Sequence, residues 1–117
     1  MALNKDTAFL SVTELQAGLQ EKRWTSVELT EFFLDRLEKL GGRYNAVVTV
    51  TRELALTEAK QADAERAAGK LRGPLQGIPY GVKDLLAVPG YPTTWGTAPL
   101  REQRFNDPGT VVRRLEE

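Results

Sequence analysis

Apolar residues recur at helical spacing through the first third of the chain. Val12, Leu15 and Leu19 form one stripe; Leu29, Phe33, Leu37 and Leu40 form a second, which Phe32 and Leu34 widen. Each stripe follows a hydroxyl residue with a glutamate three positions on, Ser11 with Glu14 and Thr25 with Glu28. That is the spacing of a capping box, in which the hydroxyl reaches forward to one free N–H and the carboxylate reaches back to another. Gly41 and Gly42 close the second run. The pattern predicts helices over about 11–22 and 26–40.

The period then changes. "NAVVTVT", residues 45–51, is short and β-branched and predicts a strand. "RELALTEAKQADAERAAG" predicts a third helix over about 52–68 that stops at Gly69, with Ala55, Ala59 and Ala62 allowing a neighbour to approach closely. A turn-rich connection, "GKLRGPLQG", leads into "IPYGVKDLLAV", which predicts a strand over about 78–88 whose Pro79 keeps its start from a central paired position. "DPGTVVRRLEE" predicts a fourth helix over 108–117, with Asp107 as N-cap, Pro108 at the first helical position and Val111, Val112 and Leu115 as contacts. No terminator follows Glu117, so the chain reads as cut. Helices alternating with strands predict an α/β fold: residues 1–117 are expected to form part of one domain, with helices packed on a small mixed sheet that is incomplete in this chain.

Composition narrows the chemistry. The 117 residues carry 16 Lys+Arg against 16 Asp+Glu, so no net field draws in nucleic acid or an anionic membrane. No 18-residue apolar run occurs and "MALNKDTAFL" lacks the build of a signal peptide, which predicts a cytoplasmic protein with no membrane partner. With neither Cys nor His, the chain offers no disulfide, no thiolate, no ordinary zinc site and no Ser–His–Asp or Cys–His pair. No metal and no cofactor is implied. Any base must be Lys, Asp, Glu or Tyr.

Lys83 stands out because it ends an apolar run and precedes a turn rich in Pro and Gly. Taken alone, it reads as an exposed strand-end lysine paired with Asp84. The surrounding stretch changes that reading. "GPLQGIPYGVKDLLAVPGYPTTWGT" resembles the amidase signature family through Gly73, Pro74, Leu75, Gly77, Ile78 and Pro79, then Val82, Lys83 and Asp84, then Pro92, Thr93, Thr94 and Gly96. "DPGTVVRRLEE" resembles the helix that follows in that family, and "WTSVELTEFFLDRLEKL" with "YNAVVTV" resembles its N-terminal helix and strand.

The resemblance implies the N-terminal part of the amidase-signature fold and an enzyme that hydrolyses a small-molecule amide with a Ser–cis-Ser–Lys triad. Lys83 matches the triad lysine. It would act as a base when uncharged, a form that apolar surroundings favour, and a strand placing Val82 and Leu85 in the core would supply them. Asp84 is expected to serve in structural hydrogen bonding and not in proton transfer; Thr93 and Thr94 are expected to touch the site, although turn formation explains them equally well. Tyr80 and Trp95 read as packing residues.

The family's Gly/Ser-rich segment, which supplies the nucleophile, the bridging serine and the oxyanion donors, has no counterpart here. Ser11 and Ser26 are the serines present, and both read as helix N-terminal residues. The isolated chain is therefore expected to be inactive and to need the C-terminal remainder of an amidase domain. Two alternatives stay open: a non-catalytic truncated module that self-associates as a homo-oligomer, or a portion of the A subunit of a glutamine-dependent tRNA amidotransferase. No basic patch favours the latter, and "TTWGT" is more similar to the stand-alone amidases.

Overall fold

The computed structural model describes residues 3–117. The chain divides into two compact units, Met1–Pro79 and Tyr80–Glu117. The first holds a short 3-10 helix, Lys5–Phe9, and three α-helices: α1 (Val12–Gln20), α2 (Ser26–Leu40) and α3 (Arg52–Ala67). The second holds a 3-10 turn, Ala98–Leu100, and α4 (Thr110–Glu116).

The ends of the first three helices follow from local chemistry. Both capping boxes form: Ser11 and Thr25 accept the N–H of Glu14 and Glu28, whose carboxylates return to the N–H of Ser11 and Thr25 at 2.8 Å. Helix α1 stops at Gln20, short of the expected residue 22, because Lys22 turns left-handed at φ 57°. That turn lets the Arg23 N–H return to the Gly18 carbonyl at 2.8 Å. Gly69 makes the same closure for α3 at φ 72°, with the Lys70 N–H on the Glu65 carbonyl at 2.8 Å. Glycine carries this conformation without the steric cost that Lys22 bears.

The core of the first unit is Leu15, Leu19, Trp24 and Leu29, with Leu3, Leu10, Phe33 and Ile78 packed against it. Helices α2 and α3 pack together, and Ala59 and Ala62 are buried. Asp63 of α3 accepts two N–H groups that open α2, Ser26 at 2.7 Å and Val27 at 3.0 Å. The first turn of α2 is thereby closed twice, by Thr25 locally and by Asp63 from a distant helix.

A polar network fixes the chain at 76–77. The buried Ser26 hydroxyl donates to the Gly77 carbonyl at 2.8 Å. The Gln76 carbonyl accepts from Gln16 Nε2 at 2.9 Å and from Arg66 Nη2 at 3.1 Å. The Gln76 side chain donates to Glu65 at 2.7 Å and accepts the Arg72 N–H at 2.9 Å, so this buried amide meets a partner on each side.

Three expectations are corrected. The segments 45–51 and 78–88 are not strands, and no strand forms among the described residues. A strand exists by virtue of a partner ladder. Instead, Asn45 and Ala46 N–H bond back to Gly42 and Gly41, and Leu86 N–H closes a turn on the Lys83 carbonyl at 3.0 Å. Second, α4 begins at Thr110 behind an extended Gly109, so Asp107 is not its N-cap. The Gly109 N–H is held by the Ala87 carbonyl at 2.9 Å, which keeps the residues before it out of the helix. Third, Val82 and Leu85 are exposed, at 36% and 54%, and not in a core.

Candidate active site around Lys83

Within the second unit, Lys83 is exposed and its main chain opens a turn, while the next residue is tied down. Asp84 Oδ1 accepts the Thr94 N–H at 2.8 Å, and Oδ2 accepts the Thr94 hydroxyl. The Asp84 main-chain oxygen accepts the Trp95 N–H at 3.1 Å. Thr94 Oγ1 in turn accepts the Gly96 N–H at 3.2 Å. Residues 94–96 are thus fastened to the immediate neighbour of Lys83.

The electrostatics match the geometry. Donation from the Thr94 hydroxyl, then from its N–H, holds the Asp84 carboxyl below its ordinary range; the Gly96 N–H and the charge of Lys83 add to this against partial desolvation. No ion pair between Asp84 and Lys83 forms among the described residues, because Thr94 takes the carboxylate instead. Thr93 is buried, and its loop is closed by a pair of bonds with Gln103: Thr93 N–H to the Gln103 carbonyl at 2.8 Å, and Gln103 Nε2 to the Thr93 carbonyl at 3.0 Å.

Trp95 is half exposed and stacks on Phe105 at 6.1 Å between ring centroids. Its φ of 52° is left-handed, a conformation that costs energy for a residue with a side chain. Tyr80 is also exposed.

The structure brings Lys83, Asp84 and Thr94 together, with Thr93 one residue before Thr94. The two serine hydroxyls are each bonded within the first unit. The Ser11 hydroxyl belongs to the α1 capping box, bonded to Glu14 at 2.8 Å, and the Ser26 hydroxyl is buried on Gly77. Sequence reasoning passed over Gln76, Asp63 and Gln103; a lone glutamine inside "GPLQG" was the one visible signal for the first.

Comparison with known proteins gives the family. The Amidase family model matches residues 28–117, which include every residue of the site. The chain belongs to the amidase family. Over 106 residues it is 44% identical to the A subunit of glutamyl-tRNA(Gln) amidotransferase from Thioalkalivibrio sulfidiphilus, and over 110 residues 42% identical to the protein of that name from a Geobacter species. These alignments take in 91% and 92% of the chain but 22% of each relative. The peptide amidase of Stenotrophomonas maltophilia superposes with a TM-score of 0.85 at 37% identity, over 92% of the chain and 22% of that enzyme. The chain shares the fold of amidase-signature enzymes and corresponds to a portion of such an enzyme, about a fifth of the length of these relatives. No helix among the described residues is long and apolar enough to cross a membrane.

Proposed function

We propose that this chain is the N-terminal portion of an amide-hydrolysing enzyme and that it contributes Lys83 as the general base. The observation that carries the reading is the exposed amine beside a fixed loop, inside the family match, in a chain whose serine hydroxyls are both committed elsewhere. The rest of an amidase domain would supply the nucleophilic serine, the bridging cis-serine and the oxyanion donors. In that assembly, neutral Lys83 takes the proton that passes through the bridging serine as the nucleophile attacks the amide carbonyl. The proton returns from Lys83 through the bridging serine to the leaving nitrogen, the amine departs, and water releases the acid from the acyl-enzyme.

Lys83 is exposed here, flanked by exposed Val82 and Leu85. The apolar surroundings that favour a neutral amine would come with the remainder. So would the partner strands that a mixed sheet needs. Without that remainder, bare apolar residues such as Leu71, Leu75 and Leu85 favour association with a second copy.

A second reading has its own support, since the amidotransferase relatives are 44% and 42% identical. On that reading the amide is glutamine, and the ammonia released passes to a tRNA-linked acceptor.

The test uses the chain alone and the chain fused in place of its aligned stretch in the S. maltophilia peptide amidase. The chain alone is expected to show no turnover from pH 6 to 10 and to elute as a self-associated species. The fusion is expected to hydrolyse a peptide amide. Turnover by the isolated chain that Lys83→Ala abolishes would overturn the reading, as would an inactive but folded fusion. Glutaminase activity in a fusion with the amidotransferase relative, without peptide amide hydrolysis, would favour the second reading.

A further inference from the structure

We infer that Asp84 is a positioning residue for Lys83 that acts through Thr94, with Thr94 as the joint on which the placement of the amine depends. This deepens the base assignment and rests on it.

An aspartate beside a catalytic lysine could carry a proton, pair with the amine or hold the chain in place. The geometry selects the third. Both carboxylate oxygens are occupied by one residue, Thr94, whose N–H and hydroxyl donate to them. Thr94 is 8% exposed, so water does not readily displace it. Its Oγ1 also accepts the Gly96 N–H, which uses the hydroxyl as donor and acceptor at once. A carboxylate held this way is poorly placed to accept a proton during turnover.

The consequence falls on Lys83. Its carbonyl is held by the Leu86 N–H, while the main-chain oxygen and the side chain of the following residue are both fixed to 94–95. Lysine reaches its target on a flexible four-carbon stem, so the Cα is the part of the residue that the protein can place firmly. Misplacement by about 1 Å is enough to cost about a hundredfold in rate. A separate observation points the same way. Trp95 holds a left-handed φ of 52° directly after Thr94, and such a conformation persists where surrounding bonds over-determine it. The Trp95 N–H on the Asp84 carbonyl before that torsion and the Gly96 N–H on Thr94 Oγ1 after it are those restraints.

The test compares Asp84→Asn, Thr94→Val, Thr94→Ser, the Asp84→Asn/Thr94→Val double variant and Lys83→Ala in the peptide amidase fusion. Thr94→Val removes the hydroxyl at nearly constant shape, whereas Thr94→Ser keeps it. Asp84→Asn and Thr94→Val are each expected to lower kcat by about tenfold to a hundredfold with KM changed by less than about twofold. The double variant should be no worse than the worse single one, and Thr94→Ser should recover most of the rate. Melting curves measured alongside separate placement from folding. Loss of melting temperature with kcat per folded molecule unchanged would overturn the proposal, as would additive effects of the two singles.

If Asp84→Asn does not fold in the fusion, the comparison of Thr94→Val with Thr94→Ser decides: equal kcat values overturn the proposal, and an approximately tenfold or greater gap supports it. Lys83→Ala keeps the two readings apart. Activity surviving in Lys83→Ala defeats the base assignment, whereas an inactive Lys83→Ala beside a fully active Thr94→Val defeats the positioning role alone.

Discussion

The indole of Trp24 fills the space where a side chain on Gly18 would begin. A Cβ there would lie 1.9 Å from Trp24 Cζ2 and 2.2 Å from Cε2. Trp24 is buried, and its Nε1 donates to the Leu15 carbonyl one turn earlier at 3.3 Å, so the ring cannot step aside without losing that bond. Gly18 is thus required by close approach, although glycine inside a helix carries a cost of its own. Gly18→Ala is expected to destabilise the Met1–Pro79 unit by about 1–3 kcal/mol through overpacking. The melting temperature should fall by about 4–24 °C, and Trp24 emission should shift to the red. An unchanged melting temperature would mean that the ring has room.

Asp63 gives a second stability test. Its carboxylate accepts the first two N–H groups of α2, which would otherwise stay unpaired at the start of the helix. Asp63→Ala should cost about 1–2 kcal/mol. Asp63→Asn, which keeps one acceptor oxygen, should cost about half as much. Chemical denaturation of the two variants checks the order. Equal stability of both with the native chain would show that Thr25 alone caps α2.

What could be read from the sequence divides along a physical line. The capping boxes Ser11–Glu14 and Thr25–Glu28 are local: four residues of chain contain donor, acceptor and geometry. The Gly69 stop is local in the same sense. Asp63 closing α2 and Gln76 threading Gln16, Glu65, Arg66 and Arg72 are not. They depend on which helices meet, and a polar residue with a buried long-range role looks in sequence like a solvated one.

The strands failed for a related reason. "NAVVTVT" and "IPYGVKDLLAV" have strand composition, but a ladder is a property of two segments, and among residues 3–117 neither finds its second. Lys83, Asp84, Thr93 and Thr94 could be named as candidates because motif order survives without a fold. The Asp84–Thr94 bond pattern was not, since spacing of ten residues across a Pro/Gly loop does not fix which side chains meet.

Asp84 also makes an acid-dependent prediction. Its carboxyl lies below the ordinary value of 3.8, chiefly because the Thr94 hydroxyl and N–H favour the charged form. A group whose folded pKa is depressed stabilises the fold fully above its unfolded value and loses that contribution as pH falls through the folded one. The 94–96 loop should therefore hold at neutral pH and loosen below about pH 4, with the loss complete only beneath the lowered folded value. Glu14, Glu38 and Glu65 are lowered as well, so global acid unfolding would mix four carboxylates. The amide resonances of Thr94, Trp95 and Gly96 isolate this one. They should titrate in the native chain and stay flat in Asp84→Asn; a titration that survives in Asp84→Asn would assign it to another group.

The last prediction concerns what Lys83 does in the completed enzyme. A general base must accept a proton, so the amine has to be uncharged when substrate arrives. Replacing it by Ala in the peptide amidase fusion should cut kcat by about 10²–10⁴-fold, the range typical of a lost acid–base group. Folding should be little affected, because Lys83 is exposed in this chain and makes no ion pair among its described residues. Arg is the more telling substitution. It keeps the length and the positive charge but does not release its proton in the working range of an enzyme, so a base role predicts that Lys83→Arg is as inactive as Lys83→Ala. A charge-stabilising role predicts instead that Arg substitutes well. The pH–rate profile of the three fusions separates these cases, with circular dichroism confirming that each is folded. A Lys83→Arg enzyme retaining a large share of the rate would show that the charge, and not the lone pair, is what Lys83 provides.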